Sequence, residues 1–289
     1  MNTRDLRRRI KSIKNTAQIT KAMQMVAASK MRKAQDAATA GHPYARVLNR
    51  VLARLSEGVD PDTHPLLAKR EVHKELVLLL STNKGLCGAL NANLFREVML
   101  LDAAKTDFVA MGKKGVQFLS RMKRNLIAEF PLSDAPSFLQ TKTVSKFLIE
   151  KFTSAEVDKV SVLFPRFINT LTHQTTKITL LPLSGYHREG KMLVEDPAAT
   201  TQNGNLFLFE PSPTQVLNAI LPYYIHFEVY QMVLDDRAAG HSARMVAMKN
   251  ATDNAKKLAK ELTLEYNKAR QAAITTELIE ISTAQLAVE

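Results

Sequence analysis

The chain has no tryptophan and only one cysteine, Cys87, among its 289 residues. A lone thiol excludes an intramolecular disulfide and any multi-cysteine metal site. The seven histidines are scattered without ligand spacing, so no metal is expected. Long apolar runs are missing as well. The longest are about five residues, as in Leu76 to Leu80, far short of the ~20 that cross a bilayer. No transmembrane segment is therefore expected. Polar residues interrupt every apolar stretch behind the basic N-terminus, so no signal or transit peptide is expected and the protein should stay on the cytoplasmic side. Aromatics are scarce too, at 6% overall, with Tyr44 the only one in the first 55 residues. That removes the stacking platforms of single-strand nucleic-acid binding.

Hydrophobic residues make up 45% of the chain, which argues against disorder. The formal net charge is +12, unevenly placed. Residues 1–33 carry ten Lys or Arg against the single acid Asp5, whereas residues 244–289 carry seven basic and six acidic residues. An end this basic suits a solvated face, an acidic protein partner, duplex phosphates or an anionic membrane surface. Composition leaves all four open.

Both ends also carry a stripe of mostly small residues spaced alternately three and four apart. The first reads Leu6, Ile10, Ile13, Ala17, Thr20, Gln24, Ala27, Met31, Ala34, and the second Met245, Met248, Thr252, Ala255, Ala259, Leu262, Tyr266, Ala269, Ala273. A mean spacing of 3.5 is the heptad repeat. Two such stripes at opposite ends of one chain predict an antiparallel coiled coil closed by whatever lies between.

The first helix is expected from Thr3 to Leu55, with a kink or restart at Gly41 and Pro43 and a stop in the Gly58–Pro65 stretch. Leu76–Leu80 reads as a buried strand, followed by a polar loop over Ser81–Gly88 and a helix over Asn91–Ala104. A strand at Phe108–Met111, a helix at Gly115–Met122, a strand at Leu126–Phe130 and a helix around Val144–Phe152 follow. Val160–Phe167 and Ile178–Leu183 read as strands joined without room for a helix, hence antiparallel. This alternation predicts an open α/β sheet, parallel for the most part. Gly185–Gly204 is expected to be a loop. A last helix opens at Ser212-Pro213 and runs to Thr283, with Pro222 and Gly240 as places to bend.

Candidate chemistry is thin. Asn83-Lys84-Gly85-Leu86-Cys87-Gly88 follows a strand and precedes a helix, yet lacks the third glycine of GxGxxG and has no GK[ST]; a structural turn is the better reading. Cys87 as a nucleophile would need a base, and His73 is the only candidate near it in sequence. Asp235-Asp236 are expected on a solvated helix face, since adjacent helical residues point about 100° apart. A basic coiled-coil duplex binder and a nucleotide enzyme stay open at this point.

Two terminal blocks and one central loop are more specific. Ile19-Thr20-Lys21-Ala22-Met23-Gln24-Met25-Val26-Ala27-Ala28-Ser29-Lys30 stands at one end. At the other stand Ala243-Arg244-Met245-Val246-Ala247-Met248-Lys249-Asn250-Ala251-Thr252-Asp253-Asn254-Ala255 and Leu264-Glu265-Tyr266-Asn267-Lys268-Ala269-Arg270-Gln271-Ala272-Ala273-Ile274-Thr275. With Gly85-Leu86-Cys87-Gly88-Ala89-Leu90-Asn91 between them, they resemble the gamma subunit family of F-type rotary ATP synthases, in that family's order and over nearly the full length.

The resemblance implies an α/β chain in which a long antiparallel coiled coil of terminal helices joins a central Rossmann-like open-sheet domain. The implied division is 1–57 for the N-terminal coil helix, 74–210 for the sheet domain and 212–285 for the C-terminal coil helix. It also implies a central stalk turning inside a ring of three alpha and three beta subunits. The stalk's foot rests on the epsilon subunit and the membrane c-ring, peripheral to a bacterial plasma membrane. No active site, cofactor, metal or nucleic-acid partner is implied. By position, Lys21 and Met23 fall at the lever loop of a beta subunit, and Arg270, Gln271 and Thr275 at the beta catch loops. Arg244 and Glu277 match other coupling positions, and Phe207, Phe209 and Glu210 the foot facing epsilon and the c-ring. The basic end, with Lys21, Lys30 and Lys33, is expected to steer and lubricate contact with acidic levers. The chain departs from the family pattern at Gly240, where an acid is usual, and at Ala284-Gln285, where Gly-Ala is usual. The chloroplast-type regulatory cysteine pair is absent.

Overall fold

Five consecutive apolar residues at the heart of the chain, Leu76–Leu80, belong to the central strand of a five-stranded sheet. A parallel strand covered on both faces has no need of polar alternation. The computed structural model describes residues 3–56, 64–183 and 210–288. Its elements are α1 (Thr3–Ser56), β1 (Glu75–Leu80), α2 (Leu90–Leu100), β2 (Thr106–Met111), α3 (Lys113–Arg121), β3 (Leu126–Phe130), α4 (Phe138–Thr153), β4 (Lys159–Phe167), β5 (His173–Leu181) and α5 (Pro213–Val288). They form two compact units. One comprises Met1–Ala27 with Arg244–Glu289, the other Ala28–Ala243.

In the larger unit the strand order is β3-β2-β1-β4-β5. β1 pairs in parallel with β2 and β4, β2 pairs in parallel with β3, and β5 closes the edge antiparallel to β4. The period of two divides the central strands between two cores. Leu76, Leu78 and Leu80 of β1 join the core shared with α4 and the flanking parts of α1 and α5. Val77 and Leu79 join the one shared with α2 and α3, where Phe95 and Phe118 stack with centroids 4.2 Å apart.

Several boundaries move from their expected places for identifiable reasons. α4 begins at Phe138, because Ser137 and Gln140 form a reciprocal capping box. β5 begins at His173, since Asn169 Oδ1 accepts the amides of Leu171 and Thr172 and so builds a tight hairpin turn. α2 stops at Leu100, its end held by the Arg124 guanidinium on the carbonyls of Val98, Met99 and Leu101. The expected break at Gly41-Pro43 is absent and α1 stays helical through both. Gly41 serves close approach instead: a Cβ there would lie 2.0 Å from Gln231 Nε2. The expected loop at Gly185–Gly204 lies outside the described residues.

The smaller unit is the helix pair. Every position of the N-terminal stripe is buried or half-buried, as are those of the C-terminal stripe up to Ala269, whereas Ala273 is exposed. Thr20 and Thr252 meet across the seam with their hydroxyls 2.7 Å apart.

Candidate functional site

Small seam residues draw two helices close and leave little to fill the flanks. Beside the Thr20–Thr252 contact runs a groove whose lining includes Ala17, Ala22, Met25, Ala259 and Leu264. Four ammonium groups rim it, those of Lys14, Lys21, Lys256 and Lys260, against the one carboxylate of Glu261. Ile19, Met25 and Val26 on one helix and Leu258 and Leu264 on the other are exposed. The pair therefore presents a surface that is both apolar and cationic.

The helices run antiparallel, and their register sets where the pairing ends. Thr3 stands seventeen residues before Thr20, and seventeen past Thr252 is Ala269. Beyond that point residues 271–283 of α5 are exposed throughout. Ile274, Leu278 and Ile281, spaced four and three apart, lie open to solvent at 47, 62 and 62%. An apolar stripe this long on an otherwise uncovered helix is an interaction surface in waiting. The sequence carried its signal, a 4–3 spacing that outlasts α1, but the exhaustion of α1 appears only once the register is known.

In the larger unit the connectivity reverses between β1 and β4, where open α/β sheets usually hold their ligands, outside the carboxyl ends of the strands. Here α5 and neighbouring backbone fill that place. Arg237 Nη2 donates to the Ser81 carbonyl at 3.1 Å. Ser242 Oγ donates to the Thr170 carbonyl at 2.8 Å. The N-terminus of α3, a potential anion site, is satisfied internally by Ser81 Oγ, the Thr82 carbonyl and Asn83 Oδ1, which accept the amides of Gly115, Lys114 and Lys113. Gly112, at φ +103°, passes so near that a Cβ would lie 1.9 Å from the Ser81 oxygen.

The nucleophile reading fails on distance. Cys87 is buried beyond the carboxyl end of β1, with Asn91 Nδ2 3.4 Å from its sulfur, whereas His73 precedes the strand's amino end. The strand alone separates them by about 20 Å at ~3.3 Å per residue. The solvated face expected for Asp235-Asp236 is also overturned. Asp236 is fully buried and accepts Arg237 Nε and Nη2 at 3.1 and 2.6 Å. Burial pushes the Asp235 carboxyl up to about 6, partly offset by Arg166 and the Phe167 amide. α5 here threads the interior of the unit, which neither helical periodicity nor local composition announces.

The expected contact residues are spread along the helices rather than gathered. Lys21 is exposed, its ammonium 3.3 Å from Gln24 Oε1, and Met23 is half-buried. Arg244 is half-buried where α5 enters the smaller unit. Arg270, Gln271, Thr275 and Glu277 are all exposed, and Thr275 returns its hydroxyl to the Gln271 carbonyl at 3.0 Å. Glu210 is exposed just ahead of α5, while Phe207 and Phe209 lie outside the described residues. Lys30 forms a surface ion pair with Asp134 and holds that carboxyl below its ordinary range.

Comparison with known proteins agrees along the whole chain. The ATP synthase family profile matches residues 2–288. The ATP synthase gamma chain of Opitutus terrae is 51% identical, over 99% of this chain and 98% of the relative. That of Methylacidiphilum infernorum is 47% identical over 99% of each. Among solved structures, a chain of the Euglena gracilis mitochondrial ATP synthase OSCP/F1/c-ring assembly in rotational state 3 superposes with a TM-score of 0.67 at 20% identity, covering 99% of this chain and 94% of that one. A chain of the Tetrahymena thermophila mitochondrial ATP synthase central stalk and c-ring gives 0.60 at 23%, covering 81% and 99%. At such identities these two likenesses speak to the fold.

Proposed function

The chain belongs to the ATP synthase gamma-chain family, and from that membership we propose that it is the central-stalk, rotor-shaft subunit of an F-type ATP synthase. It turns inside a ring of three alpha and three beta subunits and couples ion flow through the membrane c-ring to conformational cycling of the beta catalytic sites. It supplies no active site of its own. The observation that carries this reading is the full-length match to ATP synthase gamma chains, 51% and 47% identical over 99% of this chain, and the apolar stripe Ile274, Leu278 and Ile281 on a stretch of α5 that has outrun its partner helix supports it. Such a stripe on a shaft needs a surrounding sleeve.

The contacts follow the same reading. Lys21 and Met23 meet the acidic lever of a beta subunit; Arg270, Gln271 and Thr275 meet its catch loops; Arg244 and Glu277 take further coupling contacts. Phe207, Phe209 and Glu210 face epsilon and the c-ring, which places the protein at the cytoplasmic face of the plasma membrane as a peripheral subunit. The functional division is 1–57, 74–210 and 212–285, with the middle segment Rossmann-like; its three parallel pairings and helices on both faces support that description.

A rotor must transmit force without adhering. Exposed ion pairs contribute only about 0–1 kcal/mol each, so cationic helices pass acidic loops without deep wells. The test is reconstitution with alpha and beta subunits. An ATP-hydrolysing complex that requires this chain is expected, and failure to assemble one overturns the reading. The nucleotide-enzyme alternative is disfavoured by the filled crevice between β1 and β4.

A further inference from the structure

Between Tyr224 and Ser242, α5 is buried on nearly every side within the larger unit. Most of its neighbours there are apolar, and apolar attraction is non-directional. Interdigitated side chains resist both withdrawal and rotation of the helix, but an apolar contact sets no single angle and can repack. Directional bonds add a fixed angular reference: Ser145 Oγ and His226 Nδ1 share one at 2.7 Å on the α4 side, and three more reach the ends of the strands from residues 235–242. The Arg237 guanidinium reaches the Ser81 carbonyl at the end of β1. Asp235 takes the Phe167 amide at the end of β4. Ser242 holds the Thr170 carbonyl in the β4–β5 turn.

Arg237 is held for this task by Asp236. One carboxylate oxygen, Oδ2, takes both Nε and Nη2, while Oδ1 is buried without a hydrogen-bond partner. The two side chains are 0 and 4% exposed. An ion pair so thoroughly desolvated contributes little to stability, and apolar residues of similar volume often serve as well or better. What apolar residues cannot supply is a bond aimed at one carbonyl. We propose that Asp236 and Arg237 form a torque-bearing clamp, positioning residues that lock the rotation of α5 to the sheet through the Ser81 carbonyl, so that turning force passes between them without slip. The clamp rests on the central-stalk reading, in which the sheet unit is the foot and α5 continues into the shaft.

The test uses the assembled synthase in vesicles, reading ATP hydrolysis, ions pumped per ATP hydrolysed and thermal unfolding. Asp236→Leu combined with Arg237→Met removes both charges together and leaves no buried ion unpaired. Hydrolysis at parental levels is expected, with the unfolding temperature slightly lowered because the buried Ser81 carbonyl loses its Arg237 donor, and the pumping ratio lowered several-fold. Arg237→Lys keeps the charge and loses the fork, and an intermediate ratio is expected. A parental ratio in the double variant overturns the clamp. If the double variant does not assemble, a parental ratio in Arg237→Lys overturns it. Failure of the unaltered chain to assemble with alpha and beta overturns the stalk reading instead.

Discussion

Glu228 is buried, and desolvation pushes its carboxyl up from 4.5 to about 7, against a weaker opposing hydrogen bond with Tyr224. A carboxyl whose pKa is raised by folding contributes stability that is full below the unfolded pKa and is lost as pH rises through the folded one. Its window therefore runs from about 4.5 to about 7, and Asp235 adds a second from 3.8 to about 6. Glu228→Gln should recover on the order of 3 kcal/mol above that window relative to its effect below it. Urea unfolding at about pH 4 and about pH 8 measures this, and equal midpoint shifts at both would refute it. Gly112 offers a second check at this scale. Its positive φ and the nearby Ser81 oxygen mean that Gly112→Ala should cost more than about 2 kcal/mol. Gly85→Ala, with nothing within 4 Å of the new methyl, should be nearly neutral by the same denaturant measurement. Neither buried acid was legible beforehand, since a carboxylate in a helical run reads as solvent-facing until the helix is seen threading an interior.

Among the elements, legibility followed the pattern of burial. The paired stripes are plain because burial on one side imposes a 3.5 repeat, and the central strands because burial on both faces writes a continuous apolar run. β5 was read five residues short at its start, since Gln174, Thr175 and Thr176 occupy an edge where pairing does not demand apolar side chains. α4 was placed late although the Ser137-x-x-Gln140 box was there to read. The seam itself yields a prediction. Thr252 is 2% exposed and bonds both Thr20 and the Met248 carbonyl. Thr20→Val alone leaves the Thr252 hydroxyl its local acceptor, so a loss of about 1 kcal/mol is expected. With Thr252→Val added, no stranded hydroxyl remains and the shape is kept. The double variant should therefore melt at or above the temperature of the single one, and strictly additive losses of the two single variants would show that the hydroxyls act independently and the bridge carries no coupling energy.

For the whole molecule, the charge asymmetry becomes a statement about association. From composition, the excess of cations in residues 1–33 suits a solvated face, an acidic partner, duplex phosphates or a membrane surface equally. Lys30 there has its charge partly offset by Asp134. The cations available to a partner include the groove's Lys14, Lys21, Lys256 and Lys260, contributed by both helices. Exposed charges act over a Debye length of about 8 Å at physiological salt and 30 Å at 0.01 M. Replacing these four lysines by glutamine should therefore slow assembly with alpha and beta markedly at low ionic strength and very little at high salt. The assembled complex should keep most of its hydrolysis, because rim ion pairs govern encounter more than residence. Assembly rates measured across a salt series check this. Parallel salt dependence in parent and variant would mean that the groove's charge plays no part in docking, leaving the apolar residues Met25, Leu264 and Ile274 to carry recognition.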